Sequence, residues 1–443
     1  MLNDPNRGSS VHSDAPTRRR VPVVVVGGGQ AGLSVASSLQ RRGIRPLVLE
    51  QHRIGYAWEQ QRWDSFCLVT PNWQCRLPDF PYDGEAPEGF MGRQQIVEYV
   101  RRFAAHIQVD VREGVAVSRL LHQGRGYRLI TSEGEIDADQ VVVATGGYHR
   151  PKRHPQAERL PASVLQLDAR AYRNPDQLPQ GAVLVVGSGQ SGCQIAEDLF
   201  LAGRRVHLSV GSAPRSPRRH RGKDVVDWLD RMGYYAMPID QHADPKLVRT
   251  KTNHYLTGRD GGRDIDLRQR ATQGMQLHGR LLDLAPGQIR FAGDLAANLD
   301  QADAVYCRIR ASIDAYIARE GLDAPEEPAY TACWQPGPGH DAAPLDLEAE
   351  PLAAVIWCTG YGADFGWIEV PVFDGSGYPA HQRGVSASEG LYFIGLPWLH
   401  TWGSARFCGV AEDADYLAEA IRLRLHRRDA SQERLECTAL LGS

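Results

Sequence analysis

The 443-residue chain contains no C-x-x-C or C-x-x-x-x-C pair. Its eight cysteines, Cys67, Cys75, Cys193, Cys307, Cys333, Cys358, Cys408 and Cys437, are scattered singly, which argues against a zinc site, a disulfide framework and a redox-active disulfide. Long apolar runs are missing too: Val21 to Val26 is only a strand's length, too short to cross a bilayer. The first twenty residues, rich in Ser, Asp, Asn, Pro and Arg, hold no apolar stretch of signal-peptide type. We therefore expect a disordered tail over 1–20, a cytoplasmic location and no membrane association. Neither sign of charge dominates, since 50 Lys and Arg face 53 Asp and Glu for a net charge of -3, so no nucleic-acid role is implied. No Ser/His/Asp triad or clustered metal ligands suggest hydrolysis or a metal centre.

What the chain does have is one glycine fingerprint written twice. Val23 to Val26 leads into Gly27-Gly28-Gly29-Gln30-Ala31-Gly32, and Val183 to Val186 leads into Gly187-Ser188-Gly189-Gln190-Ser191-Gly192. Each copy follows an apolar strand and opens a helical stretch, the context in which G-x-G-x-x-G binds a dinucleotide. Gly27 and Gly187 permit the tight turn, Gly29 and Gly189 let the backbone approach a pyrophosphate, and Gly32 and Gly192 let helix and strand pack closely. The amides that open each helix then face the phosphates.

The residues eighteen positions past the last glycine separate the two sites. The first has Glu50, a carboxylate able to accept the ribose hydroxyls of an adenosine without a 2′-phosphate, as in FAD or NAD. The second has Val210, then Gly211, Ser212 and the basic run Arg215, Arg218, Arg219, Arg221 and Lys223. Arginines there would hold a 2′-phosphate, so NADPH is expected, with Ser212 and Arg215 as contacts. The alternative for this run is a solvated basic patch.

Strand signals return at Asp139 to Gly147, with the small residues Ala144-Thr145-Gly146, and at Ala353 to Tyr361, with Thr359-Gly360; both suit a chain passing close to a nucleotide. Another buried strand is expected over Gly390 to Gly395, and an amphipathic helix over Val410 to Arg427. The segment from about Lys223 to Tyr330 reads as a charged helical insertion. The fold expected is α/β, with two Rossmann-like dinucleotide-binding domains, the NADPH domain inserted into the FAD domain. The boundaries are 21–160 for the first part of the FAD domain, 161–345 for the NADPH domain with its insertion, and 346–443 for the second part and the C-terminal helix.

The ordered pair GGGQAG and GSGQSG, the ATG and CTGY strand ends and GLYFIGL resemble the class B flavin-dependent monooxygenase superfamily, which includes flavin-containing and Baeyer–Villiger monooxygenases. RWDSFCLVTPNWQCRLP, DVVDWLDRMGYY, GRDGGRDIDLR and GLPWLHTWGSARF are similar to bacterial flavin-dependent oxidoreductases encoded beside a nitrilase. The resemblance implies tightly bound FAD, reduction by NADPH, and capture of molecular oxygen as a flavin C4a-hydroperoxide. One oxygen atom would go to a small nitrogen, sulfur or carbonyl compound. It further implies FAD contacts at Trp58, Gln74, Gly403, Ser404 and Phe407. Asn72 would be either a hydrogen-bond donor to the oxygenated flavin or an ordinary loop asparagine. Trp63, Phe66, Trp73, Trp398 and Trp402 would wall the pocket or simply pack the core.

The superfamily's linker fingerprint, F-x-G-x-x-x-H-x-x-x-[FYW], is reduced here to Ala162, Val164, Asp168 and Tyr172. With Asp168 in the histidine's place, a carboxylate near nucleotide phosphate is expected to turn away or pair with Arg170 or Arg173, unless it is a solvated surface aspartate. An NADPH-linked reductase without oxygenation and a non-catalytic redox-sensing flavoprotein remain alternatives. The partners expected are a small-molecule substrate and oxygen, with a homodimer allowed.

Overall fold

A strand covered on both faces has no polar side, so it reads as an unbroken apolar run; the valines ahead of each glycine turn are such strands. A computed structural model of the chain describes residues 20–340 and 343–441, the side chains of 428–441 excepted. The expected N-terminal tail lies outside the described residues except for Arg20, which begins the first strand. Strand Arg20–Val26 lies between Leu47–Glu50 and Gly134–Val143 and runs parallel to both. Asp110–Glu113 continues the sheet beyond Leu47–Glu50, and Leu391–Phe393 joins the far side of Gly134–Val143. The first sheet thus takes strands from both ends of the described chain. Helices Gln30–Gln40 and Val410–Leu441 pack together on one face through Leu33, Leu39, Ala414, Leu417 and Ile421. Each large aliphatic side chain buried there contributes about 1.5 to 3 kcal/mol.

The second sheet runs Leu165–Asp168, Leu352–Trp357, Ala182–Val186, Val206–Ser209, Gln276–His278, all parallel. It repeats the first arrangement: the strand before the glycine turn sits between the strand that follows its helix and the strand that ends in small residues. This corrects the boundary expected at 345/346. Leu352–Trp357 belongs to the second sheet, and the chain returns to the first at Ile368–Glu369 and then through His381–Gln382, Val385–Ser386 and Leu391–Phe393. The reason is steric and symmetric. A Cβ on Gly187 would lie 2.6 Å from the Cys358 carbonyl oxygen, just as one on Gly27 would lie 2.7 Å from that of Ala144, so each turn closes on its own strand end. Both glycines hold positive φ, +110° and +102°, which a side chain would strain.

The insertion expected to be helical has helices Val225–Arg231, Pro245–Thr250, Leu267–Thr272 and Leu295–Glu320. It also supplies the fifth strand of the second sheet and the antiparallel pair Leu281–Ala285 and Gln288–Phe291. Three residues are too few for alternation to register in sequence; their neighbours in the sheet decide them. Among the described residues no helix is long and apolar enough to cross a membrane.

Candidate dinucleotide and substrate site

The first glycine turn is backed by Glu50. One carboxylate oxygen accepts from the Gly28 amide at 2.7 Å and the other from the His52 amide at 2.9 Å, fixing the acid at the mouth of the turn. A Cβ on Gly29 would meet nothing within 4 Å, whereas one on Gly32 would lie 1.9 Å from the Gly27 carbonyl oxygen. The cradle is therefore open outward and closed toward the helix, as a phosphate-binding turn requires. In the second turn Ser188 replaces Gly28. Its hydroxyl accepts from the Gly211 amide at 2.9 Å, which anchors the loop after Val206–Ser209 without an acid. Gln190 and Ser191 open helix Gln190–Leu201 beside it, as Gln30 and Ala31 open the first.

Two groups with buried polar atoms, Gln74 and Thr145, lack partners among the described residues. Gln74, 1% exposed, has no hydrogen bond at either end of its amide, and the Thr145 hydroxyl is equally alone. An unsatisfied buried amide costs about 1 to 3 kcal/mol, so a ligand that supplies partners is the economical account. FAD fits: Gln74 lies on the short turn Asn72–Gln74, Thr145 follows the strand that closes the turn, and Trp58 reaches Gln30 through its indole NH at 3.4 Å. Phe407 stacks on Trp58 with centroids 5.7 Å apart, and its carbonyl accepts from the Arg76 amide, tying the segment before the last helix to Gln74's neighbourhood.

Residues 24–246 match the pyridine nucleotide-disulphide oxidoreductase family. The chain belongs to this family. It is similar to an uncharacterised CzcO-like oxidoreductase of Geobacillus kaustophilus, 30% identical over 90% of this chain and 98% of the relative. It is also 29% identical to a probable indole-3-pyruvate monooxygenase, YUCCA3, of Arabidopsis thaliana, over 51% of this chain and 55% of that one. Among solved structures, a flavin-containing monooxygenase from Stenotrophomonas maltophilia superposes with TM-score 0.64 at 19% identity, covering 92% of this chain and 99% of that one, and this shows the shared fold. The chain is thus an oxidoreductase of this family, with a likeness to flavin monooxygenases in sequence and in fold. Although the family name includes disulphide chemistry, the seven described cysteines are all free.

Within this family frame several expected site residues take other roles. Asn72 is 3% exposed; its amide donates to the Ala86 carbonyl at 2.9 Å and its carbonyl accepts from the Met91 amide at 2.6 Å. It is thus a structural asparagine that pins the loop 86–91. Ser404 accepts from the amides of His400 and Thr401, both at 3.0 Å, so its hydroxyl shapes the turn before the last helix. Thr359 donates to the Lys152 carbonyl at 2.5 Å, and Gly403 is packed against Gly409. Trp63 lies in the core of the second domain, as ordinary packing would have it.

Arg215 is the largest correction. Only 3% exposed, it pairs with Asp303 at 2.9 Å and Asp266 at 3.1 Å and lies between the rings of Tyr306 and Tyr330, 4.1 and 4.6 Å from their centroids. Burial works against its charge, but Asp266, the neighbouring phenols and Asp303 together outweigh that, and its pKa is raised. It is a core cation with no surface for a nucleotide. Arg218 likewise pairs with Asp224 and donates to the Val69 carbonyl at 2.7 Å, joining the insertion to the flavin domain. An exposed cation beside the loop after Val206–Ser209 is Arg280, whose Cγ is 4.0 Å from a Cβ built on Gly211 and which pairs with Asp294. Sequence reasoning missed it because it follows the third strand of that unit rather than the second.

The linker behaves as a joint. Asp168 does turn to Arg170, but to its backbone: the carboxylate accepts from the Arg170 amide at 2.9 Å, while that residue's guanidinium donates to the His149 carbonyl at 2.6 Å. Arg173 spends its guanidinium on carbonyls, at 2.6 Å to Arg170 and 2.9 Å to Tyr172. Asp168 nevertheless stays at the nucleotide edge, opposite Trp357, where it adds to the rise in the Cys358 thiol's pKa that burial begins. Tyr172, fully buried, donates to Asp198 at 2.7 Å; Asp198 also accepts from Ser65 of the flavin domain at 2.6 Å and from Arg259 of the insertion at 2.8 Å. Asp198 therefore fastens linker, flavin domain and insertion together, a role no local motif announces.

Proposed function

We propose that the protein is an NADPH-consuming monooxygenase that transfers one atom of molecular oxygen to a small organic nitrogen, sulfur or carbonyl compound. The observation that carries this reading is the doubled nucleotide cradle, together with the unpartnered side chains of Gln74 and Thr145. FAD and NADPH, once bound, supply hydride transfer and the activation of oxygen. The chain's own residues bind and orient them. Glu50 accepts the ribose hydroxyls of FAD, the helices that begin at Gln30 and Gln190 present amides to the two pyrophosphates, and Arg280 takes the 2′-phosphate. Gln74 fixes the flavin ring through its amide, while Trp58 and Phe407 cover it and keep water out.

Asp168 in the linker favours a second reading, in which NADPH is oxidised and oxygen leaves as hydrogen peroxide. A carboxylate there repels NADP⁺, whereas a histidine would retain it. Incubating the FAD-loaded protein with NADPH, isotopically labelled oxygen and thioanisole, N,N-dimethylaniline or cyclohexanone, each with and without a carboxylate substituent, separates the two. Label in at least one product supports the monooxygenase. Stoichiometric peroxide with no labelled product refutes it in favour of the oxidase, and in that case Asp168→His should lower the peroxide released per NADPH.

A further inference from the structure

Several arginines buried in this protein carry their counter-ions with them. Arg215 has Asp266 and Asp303, Arg218 has Asp224, and Arg268 has Asp300 and Asp303. Arg406 does not. Among the described residues no carboxylate forms an ion pair with it, although it is half-buried between the first domain and the insertion, where burial lowers its pKa. Its guanidinium donates to the Trp402 carbonyl and, at 2.9 Å, to the side-chain oxygen of Asn253. Of the five N–H groups a guanidinium offers, the others have no acceptor among the described residues, and the side chain keeps part of its surface open. A partly desolvated cation without a counter-charge favours an anion at its open side.

The surroundings say which anion. The guanidinium stacks on the Trp402 indole, 3.8 Å from the ring centroid, and the Tyr235 ring lies 4.4 Å from Trp402 with Tyr234 beside it. Asn253 follows Thr252, whose methyl lies 3.7 Å from a Cβ built on Gly189 in the second nucleotide turn. Arg406 thus sits where the insertion, the NADPH turn and the segment before the last helix converge. The phosphates of both dinucleotides have their own sites at the glycine turns. What remains is a planar oxyanion that fits the guanidinium fork, attached to an apolar body that fits the rings.

We propose that Arg406, backed by Asn253, Trp402 and Tyr235, recognises a carboxylate on the substrate, so that the substrate class is a small aryl or alkyl organic acid. The inference rests on the monooxygenase reading only for the fate of the far end of that molecule. Its test needs neither reduction nor oxygen. FAD-loaded, oxidised protein is titrated with phenylacetate and with its neutral isostere phenylacetamide, and binding is followed by the flavin absorbance change. Phenylacetate should bind about ten- to a hundredfold more tightly. Arg406→Gln should bring the two to parity, Arg406→Lys should keep part of the preference, and NADP⁺ affinity should hold in both. Equal binding by the wild-type protein overturns the proposal, as does a preference that survives Arg406→Gln. Loss of NADP⁺ affinity with the acid preference intact overturns it too, by assigning Arg406 to the nucleotide. Where Arg406→Gln fails to fold, the wild-type comparison and Arg406→Lys decide. A protein that prefers the acid yet yields no labelled product refutes the monooxygenase and leaves the carboxylate site standing.

Discussion

Replacing Arg215 with methionine keeps most of its volume and removes its charge, so it isolates the electrostatic role that the structure gives this residue. Two carboxylates lose a partner. Asp303 retains Arg268 at 2.7 Å, and Asp266 retains the amide of Arg268 at 2.9 Å and the Tyr330 hydroxyl at 3.2 Å. The cost therefore falls at the low end of the 3 to 5 kcal/mol typical of a broken buried pair, about 3 kcal/mol, with the lost ring contacts adding up to about 1 more. For a domain of roughly 200 residues that lowers the melting temperature by about 6 °C or more. Differential scanning fluorimetry reads the shift, and flavin reduction by NADPH and NADH at subsaturating concentrations reads specificity. Arg215→Met should melt early and discriminate between the coenzymes like wild type. Arg280→Ala should melt like wild type and lose about tenfold in NADPH affinity, with NADH unchanged. An Arg215→Met protein with wild-type stability and a selective loss of NADPH affinity would refute this account and restore the phosphate role.

Gly29→Leu should give folded but colourless protein, since the added side chain meets no protein atom and fills the FAD cradle; full flavin content in that variant would move the phosphate site elsewhere. Gly32→Ala should instead fail to fold, because its Cβ collides with the Gly27 carbonyl; soluble yellow protein would contradict the packing. Burial, with His207 and His340 nearby, holds the His278 pKa down to about 3. Because the unfolded chain takes up this proton near pH 6.5 and the folded one does not, stability is full above that pH and is lost as pH falls, by about 1 kcal/mol between pH 7 and 5.5. His278→Gln should flatten the melting temperature over that interval, and an undiminished slope would locate the effect at other groups.

The sequence by itself determined what depends on short-range geometry. Positive φ at Gly27 and Gly187, apolar runs of strand length and a carboxylate at Glu50 against Val210 are local facts, and they were enough to read two nucleotide units and the order in which the chain builds them. Tertiary structure decided what depends on which distant groups meet. Ala353 to Tyr361 read as a strand, as Leu352–Trp357 is, but only sheet pairing assigns it to the second unit rather than the first. Arg215 follows the second Rossmann strand just as a phosphate ligand would, yet Asp303, 88 residues later, claims it. Asn72 sits in the segment expected at the flavin and is held by loop 86–91, while its neighbour Gln74 is the one left without a partner. A charge or an amide is satisfied by whatever the packed chain brings within about 3 Å, and local sequence spacing carries no information about that.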